Sequence, residues 1–174
     1  IGKDEEHNAV IKERRNGQGA EVAGVTVEGK VAYLSLVQLQ AGVTWQKSHY
    51  TRPEKWSKDS SVPAEKRIFR TPDWYGYFTA TYSPVKPLNI ALSGTYTGSM
   101  IVQHMKGYIP KDMAVTTPDF FDMNLKISYD FSLYKFITLQ LNAGVQNIFN
   151  AYQRDFDQGK ERDSGYIYGL SLIH

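Results

Sequence analysis

Two neighbouring stretches near the C-terminal end of the chain alternate apolar and polar residues almost without interruption. In Phe121–Ser132 the odd positions are apolar or aromatic and the even positions are polar, and the same alternation continues through Ile137–Gln146. Successive side chains of a β-strand point to opposite faces of its sheet. The pattern therefore predicts a long sheet that is apolar on one face and polar on the other.

The same alternation recurs along the rest of the chain and predicts an all-β protein. We expect an antiparallel up-and-down meander of about seven strands, most of them longer than the five or six residues typical of soluble strands. Short connections near residues 33–35, 83–87 and 132–135 alternate with long segments at 50–70, 101–118 and 150–164. The predicted strands are Glu21–Lys30, Val37–Gln46, Asp73–Ser83, Leu88–Thr97, Phe121–Ser132, Ile137–Gln146 and Gly165–Ser171.

This layout favours a transmembrane β-barrel whose apolar face contacts lipid. Outer-membrane barrels have short turns at one end, long loops at the other and aromatic girdles at both interfaces. A membrane-spanning strand needs only about 9–11 residues, half of them polar, so the lack of a long apolar run does not argue against a barrel. Aromatic residues gather near the predicted strand ends: Trp45, Tyr50 and Trp56 at the loop end, and Tyr82, Tyr129, Phe131 and Phe136 at the turn end.

The polar face is expected to line the lumen of such a barrel. A wide transporter barrel has a polar interior, whereas a small lipocalin-like barrel needs an apolar one. We expect Asp122, Lys126 and Asp130 to form a ladder of ion pairs there. The predicted lumen-facing residues are Asp122, Asn124, Lys126, Gln140 and Asn142.

The alternation by itself leaves a second fold open. Any half-buried antiparallel sheet alternates, so the apolar face could instead be the core of a soluble sandwich or of a lipocalin-like ligand-binding β-barrel. Membrane extraction separates the two, because a soluble carrier stays in the aqueous fraction.

Composition and motif spacing exclude several other function classes. The chain is 41% hydrophobic and 22% charged with a net charge of +2, which excludes a disordered chain and gives no basic field for nucleic acid. It has no cysteine, and no two of its four histidines have metal-ligand spacing, so we expect no metal, no cofactor and no enzyme activity. Asp155–Glu161 resembles the start of a calcium loop, but Gly159 and Lys160 stand where that motif needs other residues. We expect a solvated loop there.

A series of short motifs runs along the last third of the chain. The run Asn147-Ile148-Phe149-Asn150-Ala151-Tyr152-Gln153 is followed by Asp155-Phe156-Asp157, by Arg162-Asp163 and by Tyr166-Ile167-Tyr168-Gly169. This order closely resembles the C-terminal end of TonB-dependent outer-membrane receptors, in which an Asn-Leu-Phe-Asn-like motif ends the penultimate strand. Residues 70–77, 16–28 and 94–98 are similar to further segments of that family. The resemblance covers nearly the whole chain and is closest to the siderophore and cobalamin receptors of the Bacteroidetes.

The resemblance implies both a fold and a function. The family has a 22-stranded barrel with an N-terminal plug, and residues 1–174 would supply about the last seven strands, without the plug. Such a receptor lies in the outer membrane of a Gram-negative cell and imports a scarce ligand of the iron-siderophore or cobalamin class. Its partners would be outer-membrane lipid, a small molecule such as a metal chelate, and the TonB complex, which it contacts through the missing N-terminal region.

Ligand selectivity of such a receptor would lie in its long loops. The best candidates are the stretches Arg52–Lys66 and Gln103–Met113, whose basic and aromatic side chains suit anionic, aromatic iron chelates. The candidate residues are His104, Lys106, Tyr108, Lys111, Arg52 and Trp56.

Both ends of the chain suggest a piece of something longer. The sequence opens at Ile1 without a Met, and Gly169 is followed by Leu-Ser-Leu-Ile-His rather than by the last strand that the family has there. One reading frame of a transposase sequencing adaptor encodes the same five residues. We therefore expect residues 170–174 not to be native.

Overall fold

The strands of the protein are all antiparallel. The computed structural model describes residues 19–169, together with the backbone of residues 2–3 and 10–11. Within this part there is no helix, and so none long and apolar enough to cross a membrane. The strands are β1 (Gly2–Lys3), β2 (Val10–Ile11), β3 (Ala20–Tyr33), β4 (Val37–Glu54), β5 (Glu65–Arg67), β6 (Trp74–Val85), β7 (Leu88–Thr97), β8 (Ile101–His104), β9 (Met113–Thr116), β10 (Phe120–Tyr134) and β11 (Ile137–Val145).

One large sheet contains seven of these strands. Its order is β11-β10-β7-β6-β4-β3, with β5 paired to β4 beside this path, and every pairing is antiparallel. The long strands follow one another across the sheet in chain order, which makes it a meander. Strands β8 and β9 pair only with each other in the described part, as do β1 and β2.

Six of the seven predicted strands are confirmed, and the seventh is wrong. Residues 165–169 of the predicted strand Gly165–Ser171 form no strand, and residues 170 and 171 lie outside the described residues. The backbone there is held by side chains instead: Arg70 donates to the carbonyl groups of Gly165 and Ile167, and Gln153 bonds Tyr166 and Tyr168. The seventh strand of the sheet is β5, which lies in a segment predicted to be a loop. The predicted loop 101–118 also contains the hairpin β8–β9.

The register places the apolar residues of all six long strands on one face. Directly paired residues of neighbouring strands share a face. One row of such pairs crosses the whole sheet through Val31, Leu39, Ala80, Leu92, Leu125 and Val145. The adjacent row is polar and contains Lys30, Gln40, Thr79, Ser93 and Asn124.

Most of the apolar face is exposed in the described chain; at the cap end Phe149 packs against Phe121, with 5.7 Å between ring centroids. Val27 is 63% exposed, Leu39 45% and Leu141 54%. The buried hydrophobic residues of the described chain are Ile101, Val102 and Tyr166, and none of them belongs to the large sheet. The sheet is therefore not the core of the described chain, and its apolar side chains meet whatever surrounds the protein.

The connections have the predicted asymmetry. Tight turns at residues 34–36, 86–87 and 135–136 lie at one end of the sheet. The connections between β4 and β6, between β7 and β10, and after β11 are long and lie at the opposite end. The predicted alternation of short and long connections is confirmed.

Candidate functional site

The three long segments at one end of the sheet fold together into a packed unit, which we call the loop cap (residues 55–73, 98–119 and 146–169). Strands β8 and β9 form its centre, where Ile101 and Val102 are buried. The Arg70 N–H donates to the carbonyl oxygen of Ile101 (2.8 Å), which attaches the first segment to the hairpin. The Thr117 N–H donates to the carbonyl oxygen of Met100 (2.8 Å) and closes the base of the hairpin. The buried hydrophobic side chains that the sheet lacks are thus found in the cap.

The third segment leaves the sheet through a turn made by two asparagines. Asn147 and Asn150 have φ values of 50° and 53°, a conformation that asparagine tolerates better than most residues. The Asn147 side chain also accepts from the Ala151 N–H (2.7 Å) and donates to the Ala151 carbonyl oxygen (3.0 Å). The Asn-x-x-Asn motif therefore has a local structural role, because it ends β11 and directs the chain into the cap.

His104 connects the hairpin to the third segment. Its Nε2 lies 2.8 Å from both carboxylate oxygens of Asp157, and its ring stacks on Tyr166 with 3.7 Å between centroids. The His104 and Asp157 side chains are 9% and 3% exposed. Asp157 also accepts from the Asp163 N–H (3.0 Å). The ring of His104 is therefore buried between the hairpin and the third segment.

Gln153 and Asp155 bind the two tyrosines of the Tyr166-Ile167-Tyr168 motif. Gln153 is 2% exposed; its amide donates to the Tyr166 carbonyl oxygen (3.1 Å) and accepts from the Tyr168 N–H (3.0 Å). Asp155 accepts hydrogen bonds from both phenol groups. Burial raises the pKa of Tyr166 and of Tyr168 well above the ordinary tyrosine value, and the bonds to Asp155 add to this. Burial opposes ionisation of Asp155, but the Tyr168 and Tyr166 hydroxyls more than offset it and lower the pKa of the carboxyl group.

The acidic loop 155–161, which we expected to be solvated, is exposed at Asp155 and at residues 158–161, whereas the Asp157 side chain is buried. Asp155 and Asp157 are both engaged, as described above, and the Glu161 carbonyl oxygen accepts from the Tyr108 N–H (2.9 Å). The loop is thus solvated over most of its length and is also attached to the cap through these contacts. No group of three or more acidic, histidine or cysteine side chains that could hold a metal occurs among the described residues.

The cap brings three of the predicted ligand-binding residues together at its surface. Lys106, Tyr108 and Lys111 are all exposed, with Tyr108 at 59%. Bonds from Ser61 lower the pKa of Asp59, and the nearby positive charges of Lys106 and Lys111 lower it further. Ser57 and the Lys106 N–H both donate to Asp112, lowering the pKa of that carboxyl and joining the first segment to the hairpin. The exposed cations thus stand on a rigid base.

The other three predicted ligand-binding residues are placed differently. His104 is buried, as described above. Arg52 is exposed near the end of β4. Trp56 is half-buried and packs edge-on against Phe69 (5.3 Å between centroids), and its buried indole N–H has no partner among the described residues.

All five residues predicted to face the lumen share the polar face of the sheet. Asp122, Asn124 and Lys126 occupy alternate positions of β10. On β11, Gln140 pairs with Asp130 of β10 and Asn142 pairs with Ser128. Hydrogen bonds run from Ser128 through Asn142 and Gln140 to Asp130, at 2.8, 3.4 and 2.8 Å. The expected ion-pair ladder is wrong: Lys126 has no carboxylate within 4.0 Å among the described residues. Asp122 and Asp130 each accept from an amide through one oxygen instead.

A groove of about 800 Å³ is lined mainly by polar-face positions of β6, β7, β10 and β11, with Leu125, Ala143 and Val145 of the apolar face also contributing. Its size is within the range of small-molecule sites. The polar side chains along it belong to Thr79, Ser93, Asn124, Lys126, Asn142 and Gln146.

Comparison with known proteins gave no further guidance: no protein-family model, no curated protein and no solved structure matches this chain.

Sequence patterns did not reveal the residues that hold the cap together. Arg70 and Gly165 are 95 positions apart in the chain, and His104 and Asp157 are 53 apart. Such long-range bonds leave no periodic signal. The one indication in the sequence was the cluster of Asp, Tyr and Gln residues in 153–168, whose side chains can hydrogen-bond to one another.

Proposed function

We propose that this chain is part of the barrel of a TonB-dependent outer-membrane receptor that imports a scarce ligand such as an iron-siderophore or cobalamin. The observation that carries the proposal is the single apolar face of the sheet, formed by six long strands in register and mostly exposed in the described chain. In water such an exposed apolar face would favour aggregation. In a bilayer it is what a barrel wall requires.

Aromatic residues on this face support the proposal by their positions. Near the cap, Trp45 is paired with Trp74, with 6.3 Å between ring centroids. Tyr82 and Tyr129 lie on the same face towards the tight turns. The eight steps from Trp74 to Tyr82 correspond to about 26 Å along β6, or roughly 20 Å across a bilayer if the strand is tilted by about 40°. This is close to the apolar band of about 25 Å in outer-membrane barrels.

Charged side chains on this face lie beyond the aromatic rows. Past Trp45, β4 continues with Lys47, whose ammonium group lies 5.8 Å from the Trp45 ring centroid, and with His49, which contacts Glu21 at 3.3 Å. Tyr50, predicted to join the girdle, pairs with Ala20 and so lies on the polar face. The apolar band thus gives way to charge on the cap side, as it would at a membrane surface.

The proposed ligand-binding surface is the outer part of the cap around Lys106, Tyr108 and Lys111. These residues combine positive charge with an exposed aromatic ring, which suits an anionic, aromatic metal chelate. The packed base described above would hold this surface in place before the ligand arrives, and such preorganisation reduces the entropy lost on binding. The TonB complex would act through a region outside this chain.

Ligand binding to the intact receptor tests the proposed surface. We expect Lys106→Ala, Tyr108→Ala and Lys111→Ala to weaken binding of a ferric catecholate. Lys86→Ala and Lys135→Ala, which alter the tight turns at the far end of the sheet, serve as controls. Unchanged binding by all three cap variants would remove this surface from the proposal.

Cell fractionation and the upstream gene test the class of protein. We expect the native gene product in the outer-membrane fraction, released only by detergent, and a plug domain encoded upstream in the same reading frame. A soluble lipocalin-like carrier would stay in the aqueous fraction and would have no plug.

A further inference from the structure

Among the described residues that line the polar groove, Lys126 is the only cation. The groove has a lysine, hydroxyl groups and amides along it but no carboxylate. Lys126 pairs directly with Ala91 on one side and Gly144 on the other, so no large side chain stands beside it across either strand boundary. Its ammonium group is therefore open to the groove.

The nearest carboxylates of β10 each bond an amide through one oxygen, and the other oxygen of Asp122 is buried without a partner among the described residues. Asp122 and Asp130 lie four positions before and after Lys126, about 13 Å away along the strand. Asp122 accepts from the Asn124 amide (2.9 Å), and Asp130 accepts from the Gln140 amide (2.8 Å). Among the described residues, neither acid pairs with Lys126.

We propose that the groove is a binding site for a small oxyanion, a carboxylate or phosphate group, with Lys126 as its charged contact. The side chains of Thr79, Ser93 and Gln146 line the same groove and supply further donors. A charge-assisted hydrogen bond is worth about twice a neutral one, so Lys126 would be the strongest single contact. The biological role of the site rests on the proposed function. In a receptor barrel, the site would hold the acidic group of an imported solute as the solute passes through.

Chemical modification of lysines tests the site directly on the intact receptor in detergent. Acetylation of each lysine by a water-soluble acylating reagent is measured by peptide mass spectrometry, with and without citrate. Chloride of matched ionic strength and the uncharged polyol sorbitol are the control solutes. We expect citrate to slow acetylation of Lys126 severalfold and to leave the turn lysines Lys86 and Lys135 unaffected. Equal protection of all three lysines, or none, would overturn the proposal.

Binding by variants provides a second, independent readout. Citrate should shift the backbone amide resonances of Asn142 and Gln146 in the native chain and in Lys126→Arg. In Lys126→Gln we expect binding to weaken by about tenfold or more, the loss of one charge-assisted bond. Unchanged citrate binding by Lys126→Gln would show that the anion does not use this lysine. Because binding is measured without transport, a failed site and a failed receptor function give different results.

Discussion

Gln153 offers a sharp test of the account of the loop cap. Replacement by Met keeps the length of the side chain but removes both of its hydrogen bonds, leaving the Tyr166 carbonyl and the Tyr168 N–H buried without partners. Each unsatisfied buried group costs about 1–3 kcal/mol, so Gln153→Met should destabilise the cap by about 2–5 kcal/mol. The substitution touches no residue of the large sheet.

Hydrogen exchange of backbone amides in detergent measures this effect. The Tyr168 amide should lose at least about thirtyfold of its protection, since 1.4 kcal/mol corresponds to a factor of ten. The Ile127 amide, in the middle of β10, should be unaffected. Gln158→Met, at an exposed position of the same segment, is the matched control. The reasoning is refuted if both substitutions have equal effects, or if the Tyr168 amide is unprotected in the native chain.

Three further predictions concern the sheet, the hairpin tip and pH. Leu92→Arg places a charge in the middle of the apolar face and should destabilise the folded chain in liposomes by about 2–4 kcal/mol. Ser93→Arg, on the polar face, should cost much less, and denaturant titration measures both. Gly107→Ala should release the third cap segment from the hairpin, because a Cβ there would lie 2.3 Å from the Glu161 carbonyl oxygen. The control Gly29→Ala has open space around its Cβ and should have no such effect, and limited proteolysis distinguishes the two. The two tyrosine partners lower the pKa of Asp155. Its contribution to the stability of the cap is therefore full above the unfolded pKa of about 3.9 and is lost as pH falls through the lower folded pKa. Amide exchange in acid should show this loss, and Asp155→Asn should remove the pH dependence.

The large sheet was predictable because its signal is local and repeats every two residues. The register Leu92–Leu125–Val145 follows from the same alternation that the sequence displays. Strand ends were less certain: β4 runs to Glu54, well past the predicted end at Gln46, because it goes on pairing with β3 to Tyr50. When the alternation is counted from Val37, Tyr50 falls on the polar face. The sequence pattern itself therefore argues against placing Tyr50 in the aromatic girdle.

The cap was not predictable from local patterns, since polar side chains from distant segments hold it together. His104 is the clearest case. As a basic loop residue it was a reasonable ligand-binding candidate, yet it is buried against Asp157 and Tyr166. Lys106 and Tyr108, its near neighbours in the chain, are exposed. Which of them faces solvent depends on how the third segment folds over the hairpin, and that depends on contacts more than fifty positions away in the chain.

A scan of single spin-labelled cysteines along β10 in bilayers tests the central claim most directly. The chain has no cysteine, so each label is unique. We predict that labels at positions 123, 125 and 127 are relaxed by lipid-soluble oxygen, and that labels at positions 124, 126 and 128 are relaxed by a water-soluble nickel complex. Labels at 123, 125 and 127 that are shielded from both reagents would instead mark the interior of a soluble protein, and would contradict the account.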